Sequence, residues 1–173
     1  MESRLPGQEA AFLNTISEKE PVMGRIIAVC TSPAKGMPKN DVKEAVFRAE
    51  YGIEGDAHAG GWHRQVSLLS WQAIEAFRAK GALVSHGCFG ENLIVDGIDF
   101  AALSVGTRFG CNGTLLELTQ IGKECHSHCR IFHSMGECIM PTQGVFAKVL
   151  RGGRVRVGDM MHVLPPAPSF AGR

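Results

Sequence analysis

Seven consecutive residues, Lys123-Glu124-Cys125-His126-Ser127-His128-Cys129, supply one lysine, two thiols and two imidazoles with no apolar residue among them. They follow an apolar run at 115–121 that breaks at Gly122, so the chain leaves the core where its reactive groups begin. A thiol reacts, or takes a metal, as its thiolate, and an unperturbed cysteine with pKa about 8.5 is only a few per cent ionised at neutral pH. Lys123 lies two residues before Cys125 and His126 and His128 just after it, and that positive charge favours the thiolate. Three uses of the segment stay open on residue types alone. Cys125 can serve as a reactive thiolate or a soft metal ligand. Cys125, Cys129 and Cys138 can instead form a zinc site with His126, His128 or His133, although Cys-x3-Cys lacks the paired short spacings of zinc ribbons. Finally, these can be free thiols in a polar loop of a non-catalytic binding module.

Two further stretches carry polar groups among glycines. Residues 52–64 hold Asp56, His58, His63 and Arg64, which together offer a carboxylate, two imidazoles and a planar anion-binding fork. Their glycines permit backbone conformations closed to other residues and let amide groups approach a ligand, so a phosphate-bearing ligand suits the loop as well as plain solvation does. Residues 86–92, His86-Gly87-Cys88-Phe89-Gly90-Glu91-Asn92, form the second such loop, and Glu91 and Asn92 are candidates to fix it or to hold a ligand.

The elements that must position these loops are mostly short strands. Residues 24–32 predict a strand ending at Ser32-Pro33, with Cys30 in the core. Residues 35–40 read as a turn, and 42–51 as a second strand antiparallel to the first. Another strand at 65–69 leads into a helix at 71–80, capped by Ser70 and ended by Gly81, whose Trp71, Ile74 and Phe77 share a core-facing side. A strand at 93–95 follows. Asn112-Gly113 marks a tight hairpin, and Gly152-Gly153 a second one joining 145–150 to 155–157; residues 104–107 and 156–159 each lead into a strand. Many short strands and one main helix predict a β-rich barrel, all-β to α+β in class.

Length and composition narrow the functions. With 173 residues the chain suits one domain, here expected at 23–164, with a loose arm at 1–22 and a tail at 165–173. A hydrophobic share of 45% without any apolar run near the roughly 20 residues that cross a bilayer excludes a membrane-spanning helix. A net charge of +1 leaves no basic footprint for nucleic acid. The first 21 residues lack a basic start followed by an apolar stretch, so a cytoplasmic location is expected, where six cysteines point to free thiols, metal ligation or redox chemistry before a disulfide framework.

The order of motifs resembles the MOSC family, named after the C-terminal domain of molybdenum-cofactor sulfurases. The resemblance rests on Gly55-Asp56-Ala57-His58, Arg64-Gln65-Val66-Ser67-Leu68-Leu69, Gly87-Cys88-Phe89-Gly90-Glu91-Asn92-Leu93, Cys125, Gly144-Val145-Phe146-Ala147 and Gly158-Asp159, and covers residues 23–164. Where the family pattern has a basic residue, usually arginine, and often proline beside the cysteine, this chain has Lys123-Glu124. The resemblance implies a β-barrel around a pocket for molybdenum cofactor, the pterin-bound metal (molybdenum or tungsten), with Cys125 facing the metal or carrying a persulfide. It also implies Gly55, Asp56, His58, Arg64, Ser67, Gly90, Glu91, Asn92, Thr119 and Lys123 as cofactor-binding residues, with the phosphate held by Arg64, Lys123 and the 52–61 amides. Cys129 is assigned the weaker role of resolving a persulfide on Cys125. No pyridoxal-phosphate or iron–sulfur domain fits this length. Sulfur transfer would therefore draw on an external cysteine desulfurase and pass to a molybdoenzyme apoprotein, whereas the alternative, reduction of N-hydroxylated compounds, would need an electron-donor protein.

Overall fold

The computed structural model describes residues 19–125 and 128–165. In chain order the elements are β1 (Met23–Thr31), β2 (Asn40–Asp41), β3 (Glu44–Arg48), β4 (Gly52–Ile53), β5 (Val66–Ser70), α1 (Trp71–Ala79), β6 (Leu93–Asp96), a 3-10 turn (Phe100–Ala102), β7 (Arg108–Cys111), β8 (Thr114–Ile121), α2 (Arg130–Met135), α3 (Met140–Gln143), β9 (Val145–Arg151), β10 (Gly153–Arg156) and β11 (Met160–Leu164). The expected arm at 1–22 and tail at 165–173 fall mostly outside the described residues.

Strands β11, β7, β8, β9, β5, β6 and β1 pair in that order, and the β11–β1 pairing closes them into a seven-stranded barrel. Closure leaves no long unpaired edge. All of its ladders are antiparallel except β5–β6, where α1 carries the chain across to a parallel neighbour. That placement explains why β5 is buried at every position, Val66, Ser67, Leu68, Leu69 and Ser70. Val66 and Leu68 face the barrel core with Phe100, Phe109 and Leu116, whereas Leu69 packs with Ile74 of α1, Ile94 and Phe146 on the other side. The shared face of α1 is as expected, with Ile74 and Phe77 buried. Ser70 precedes the helix without capping it, because its hydroxyl donates to Gln72 Oε1 at 3.0 Å instead of accepting a backbone N–H.

The Asn112-Gly113 hairpin joins β7 to β8, with φ of 46° and 82° at the two turn residues. Two other expected pairings are corrected. β3 does not pair with β1: β2 takes that place, and Lys43, at φ 67° with its N–H on Asp41 Oδ1, turns the chain away. Instead β3 lies between β10 and β4 in a separate three-stranded sheet whose Phe47, Ile53 and Val155 join the main core. Nor do β9 and β10 form a hairpin. Gly152 sits so close to β3 that a Cβ would lie 2.4 Å from Phe47 O, and this approach directs β10 onto β3 rather than back along β9. Among the described residues no helix is long and apolar enough to cross a membrane.

Candidate functional site

Beside the barrel lies a cavity of about 390 Å³. The loops after β4, between α1 and β6, and between β8 and β9 all reach it, together with Ser67 of β5 and Phe146 of β9. Eight of the twelve residues assigned to catalysis or cofactor binding meet on its walls, His58, Arg64, Ser67, Gly90, Asn92, Lys123, Cys125 and Cys129, as does Cys138 of the alternative zinc set. The other four do not line it. Asp56 is buried beneath the loop, where its Oδ1 accepts from Lys39 Nζ at 2.5 Å and from the Ser32 N–H at 3.1 Å, and its Oδ2 from the His58 N–H at 3.2 Å. Those contacts overcome the cost of burial and hold its carboxyl below the usual carboxylate range. Glu91 is fully buried and accepts the N–H groups of Gly87 at 2.7 Å and Phe89 at 2.9 Å, so it clamps the 86–92 loop from behind. Burial pushes its carboxyl up to about 7 against the pull of those N–H groups. The Thr119 hydroxyl donates to the His63 carbonyl at 2.5 Å, its Oγ1 also lying 3.2 Å from the Phe146 carbonyl, and thereby ties the glycine-rich loop to the barrel. Gly55, at φ 79°, is a turn residue of that loop.

Ser67 and Asn92 shape the cavity floor by bonding to each other. Asn92 Oδ1 accepts from the Ser67 N–H at 3.0 Å and hydroxyl at 3.1 Å, while Asn92 Nδ2 donates to the Cys30 carbonyl at 2.9 Å. Arg64 lies with its guanidinium carbon 4.7 Å from the Trp62 ring centre and 5.7 Å from that of Phe146. Stacking of this kind orients a planar cation without using its N–H groups. Its Nε is buried and has no hydrogen-bond partner, a costly state unless a ligand supplies an acceptor. Lys123 and Arg130 add two more cations to the lining, and none of the described lining residues is Asp or Glu. A chain with net charge +1 thus collects three fixed positive charges around one cavity.

The thiols divide by burial. Cys30 and Cys111 are buried, and Cys88 is half-buried; desolvation pushes all three up to about 12, which makes them inert at neutral pH. Cys138 is half-buried and raised for the same reason. Cys125 and Cys129 are exposed, and both border the cavity and a smaller neighbouring one of about 260 Å³. Gly122 brings their segment into place: at φ 74° a Cβ there would lie 2.2 Å from the Pro141 carbonyl, so the chain after β8 passes directly against α3. His126 of the alternative zinc set lies outside the described residues. Among the described residues no three His, Cys, Asp or Glu side chains are grouped so as to hold a metal ion.

Sequence reasoning overlooked Lys39, which read as part of a turn, and Arg130 and Trp62, which carry no motif of their own. Only an aromatic two residues before an arginine in a glycine-rich loop hinted at the stacking.

The sequence model of the MOSC domain matches residues 55–162. The chain belongs to the MOSC domain family. Among solved structures, the YuaD protein from Bacillus subtilis superposes with a TM-score of 0.71 at 19% identity, covering 83% of this chain and 97% of that one. YiiM from Geobacillus stearothermophilus gives 0.64 at 15%, covering 85% and 77%, and YiiM from Escherichia coli 0.60 at 19%, covering 85% and 72%. These likenesses are of fold. No curated protein matches by sequence. Within the family frame, the MOSC barrel brings the arginine after β4 and the cysteine after β8 to the lining of one cavity.

Proposed function

We propose that this MOSC protein binds the molybdenum cofactor in the 390 Å³ cavity and carries or transfers sulfur there through Cys125. The observation that carries the reading is the lining itself, three cations without a described acid beside two exposed thiols. This set fits the group: a pterin phosphate is a dianion that needs charge-assisted donors, and the orphaned Arg64 Nε is one. Soft thiolate sulfur fits molybdenum or tungsten. Arg64 and Lys123 would hold the phosphate, and Cys125 would face the metal. The bound cofactor would supply a redox-active metal with its own dithiolene sulfurs.

The chain's own residues do the rest. Cys125 Sγ, exposed at the rim, attacks the outer sulfur of a donor persulfide; the donor leaves as a thiolate, and Cys125 keeps the transferred sulfur as its own persulfide. Attack by the Cys129 thiolate on Cys125 Sγ would release hydrosulfide and leave a Cys125–Cys129 disulfide. A cysteine desulfurase is the class of protein that would load Cys125, and a molybdoenzyme apoprotein the class that would receive the cofactor.

The test is mass and metal analysis of anaerobically purified protein, followed by labelled-sulfur transfer with and without Cys125→Ser. The expected result is bound molybdenum or tungsten, a 32 Da adduct on Cys125 as one added sulfur atom of about that mass, and no transfer by the variant. Reduction of a hydroxylamine by an artificial electron donor with no sulfur transfer would replace the carrier reading by the reductase one. Zinc bound through Cys129, with full activity of Cys125→Ser, would replace both by a structural metal site.

A further inference from the structure

Lys39 is a buried lysine that no motif announces. Its side chain is fully enclosed, and Nζ lies 2.5 Å from Asp56 Oδ1 and 3.0 Å from His58 Nδ1. An ammonium group has donors only, so His58 Nδ1 must accept, and the ring proton must sit on Nε2. The competing partner for Nδ1 is Asp56 Oδ2, at 3.9 Å, too far for a hydrogen bond. The residue is fixed through its backbone as well, its N–H on Asp56 Oδ2 at 3.2 Å and its carbonyl accepting from Trp62 Nε1 at 2.8 Å. Three bonds therefore hold a ring that is 30% exposed and lines the cavity.

We propose that His58 is a neutral, pre-oriented hydrogen-bond donor whose Nε2–H serves an oxygen of the anion bound in the cavity, and that Lys39 is the positioning residue that sets this tautomer. The inference deepens the proposed function, since it rests on the cavity being an anion site. The charges that face the ring are Lys39, Asp56, Lys123 and Lys35, and burial, then Lys39, drives its pKa down while only Asp56 opposes. An imidazole protonated on Nε2 and bonded at Nδ1 has no free lone pair, so His58 is not a metal ligand. A neutral donor also adds specificity that the cations lack, because it rewards an oxygen placed at one point rather than negative charge anywhere nearby.

The experiment is nitrogen-15 NMR of the full chain with ring-labelled histidine, with and without tungstate as an oxyanion probe. The expected spectrum shows His58 protonated on Nε2 and unprotonated on Nδ1 at neutral pH, taking its second proton at lower pH than an ordinary histidine. Tungstate should shift the Nε2–H resonance. Lys39→Met should let the ring take a second proton at higher pH and should also mix the tautomers, and the tautomer change follows from loss of the donor at Nδ1 rather than from exposure of the ring. In case that variant does not fold, His58→Phe should weaken tungstate binding about tenfold, the loss of one good hydrogen bond, whereas His58→Gln, which keeps an N–H, should retain most of it. An Nδ1–H tautomer, an imidazolium at neutral pH, or undiminished binding by His58→Phe overturns the proposal. A wild type that binds no tungstate removes the anion site and the donor role together. Tungstate binding by a protein that never takes up a pterin cofactor removes only the cofactor reading.

Discussion

The two walls of the cavity are built by opposite means. The wall formed by residues 52–67 stands on a buried ion pair, an indole hydrogen bond and Thr119 reaching over from β8, so its polar groups are held before any ligand arrives. The wall formed by residues 123–125 and 128–138 carries the exposed Cys125 and Cys129, and its helix α2 has no buried residue at all. Binding gains from groups that do not reorganise, whereas a thiol that exchanges sulfur with other proteins must be reachable. Under the proposed function, the contrast would separate recognition from reactivity within one pocket.

The contrast fails if the first wall tolerates loss of its ion pair. Asp56→Ala strands a fully enclosed ammonium, so chemical denaturation should show a loss of about 3–5 kcal/mol, as for other buried pairs broken on one side. Lys39→Met combined with Asp56→Leu should recover much of it.

The loop that completes the same side should report through pH. Glu91 has a folded-state pKa raised from the ordinary 4.5 to about 7, so the native state binds the extra proton between those values. Its contribution is fully present below about pH 4.5 and is lost as pH rises through about 7, a decline worth about 3 kcal/mol from this residue. Asp56 runs the other way, with its contribution present above about pH 3.8 and lost as pH falls through its lowered folded value. Glu91→Gln should flatten the upper window in denaturation curves collected between about pH 4 and 8.

Arg64→Ala should leave the melting temperature nearly unchanged while cofactor affinity, measured by calorimetry, falls at least about tenfold through loss of one charge-assisted contact. Unchanged affinity would take Arg64 out of the site. The smallest effect belongs to the second wall: Glu137→Ala breaks an ion pair with Lys80 whose side chains are about half exposed, and stability should change by less than about 1 kcal/mol. A larger loss there would mean that the thiol-bearing wall is anchored as firmly as its counterpart.

Much of this was legible in the chain itself. Strand and helix positions followed from apolar periodicity, the hairpin at Asn112-Gly113 from residues that tolerate positive φ, and the placement of Arg64, Lys123 and Cys125 around one pocket from motif order. Local stereochemistry and amphipathic pattern are properties of adjacent residues, so sequence determines them directly. Partner choice is not local. That β10 joins β3 rather than β9 depends on the backbone of Gly152 meeting Phe47, and that Lys39 sets the state of His58 depends on two groups 19 residues apart closing to 3.0 Å. The same holds for charge: the total of +1 conceals a cavity lined by three cations, because the acids pair elsewhere on the surface and only folding sorts them from the site. The buried thiols Cys30 and Cys111, too, differ from the exposed Cys125 and Cys129 by where the fold puts them, and burial is decided when the barrel closes.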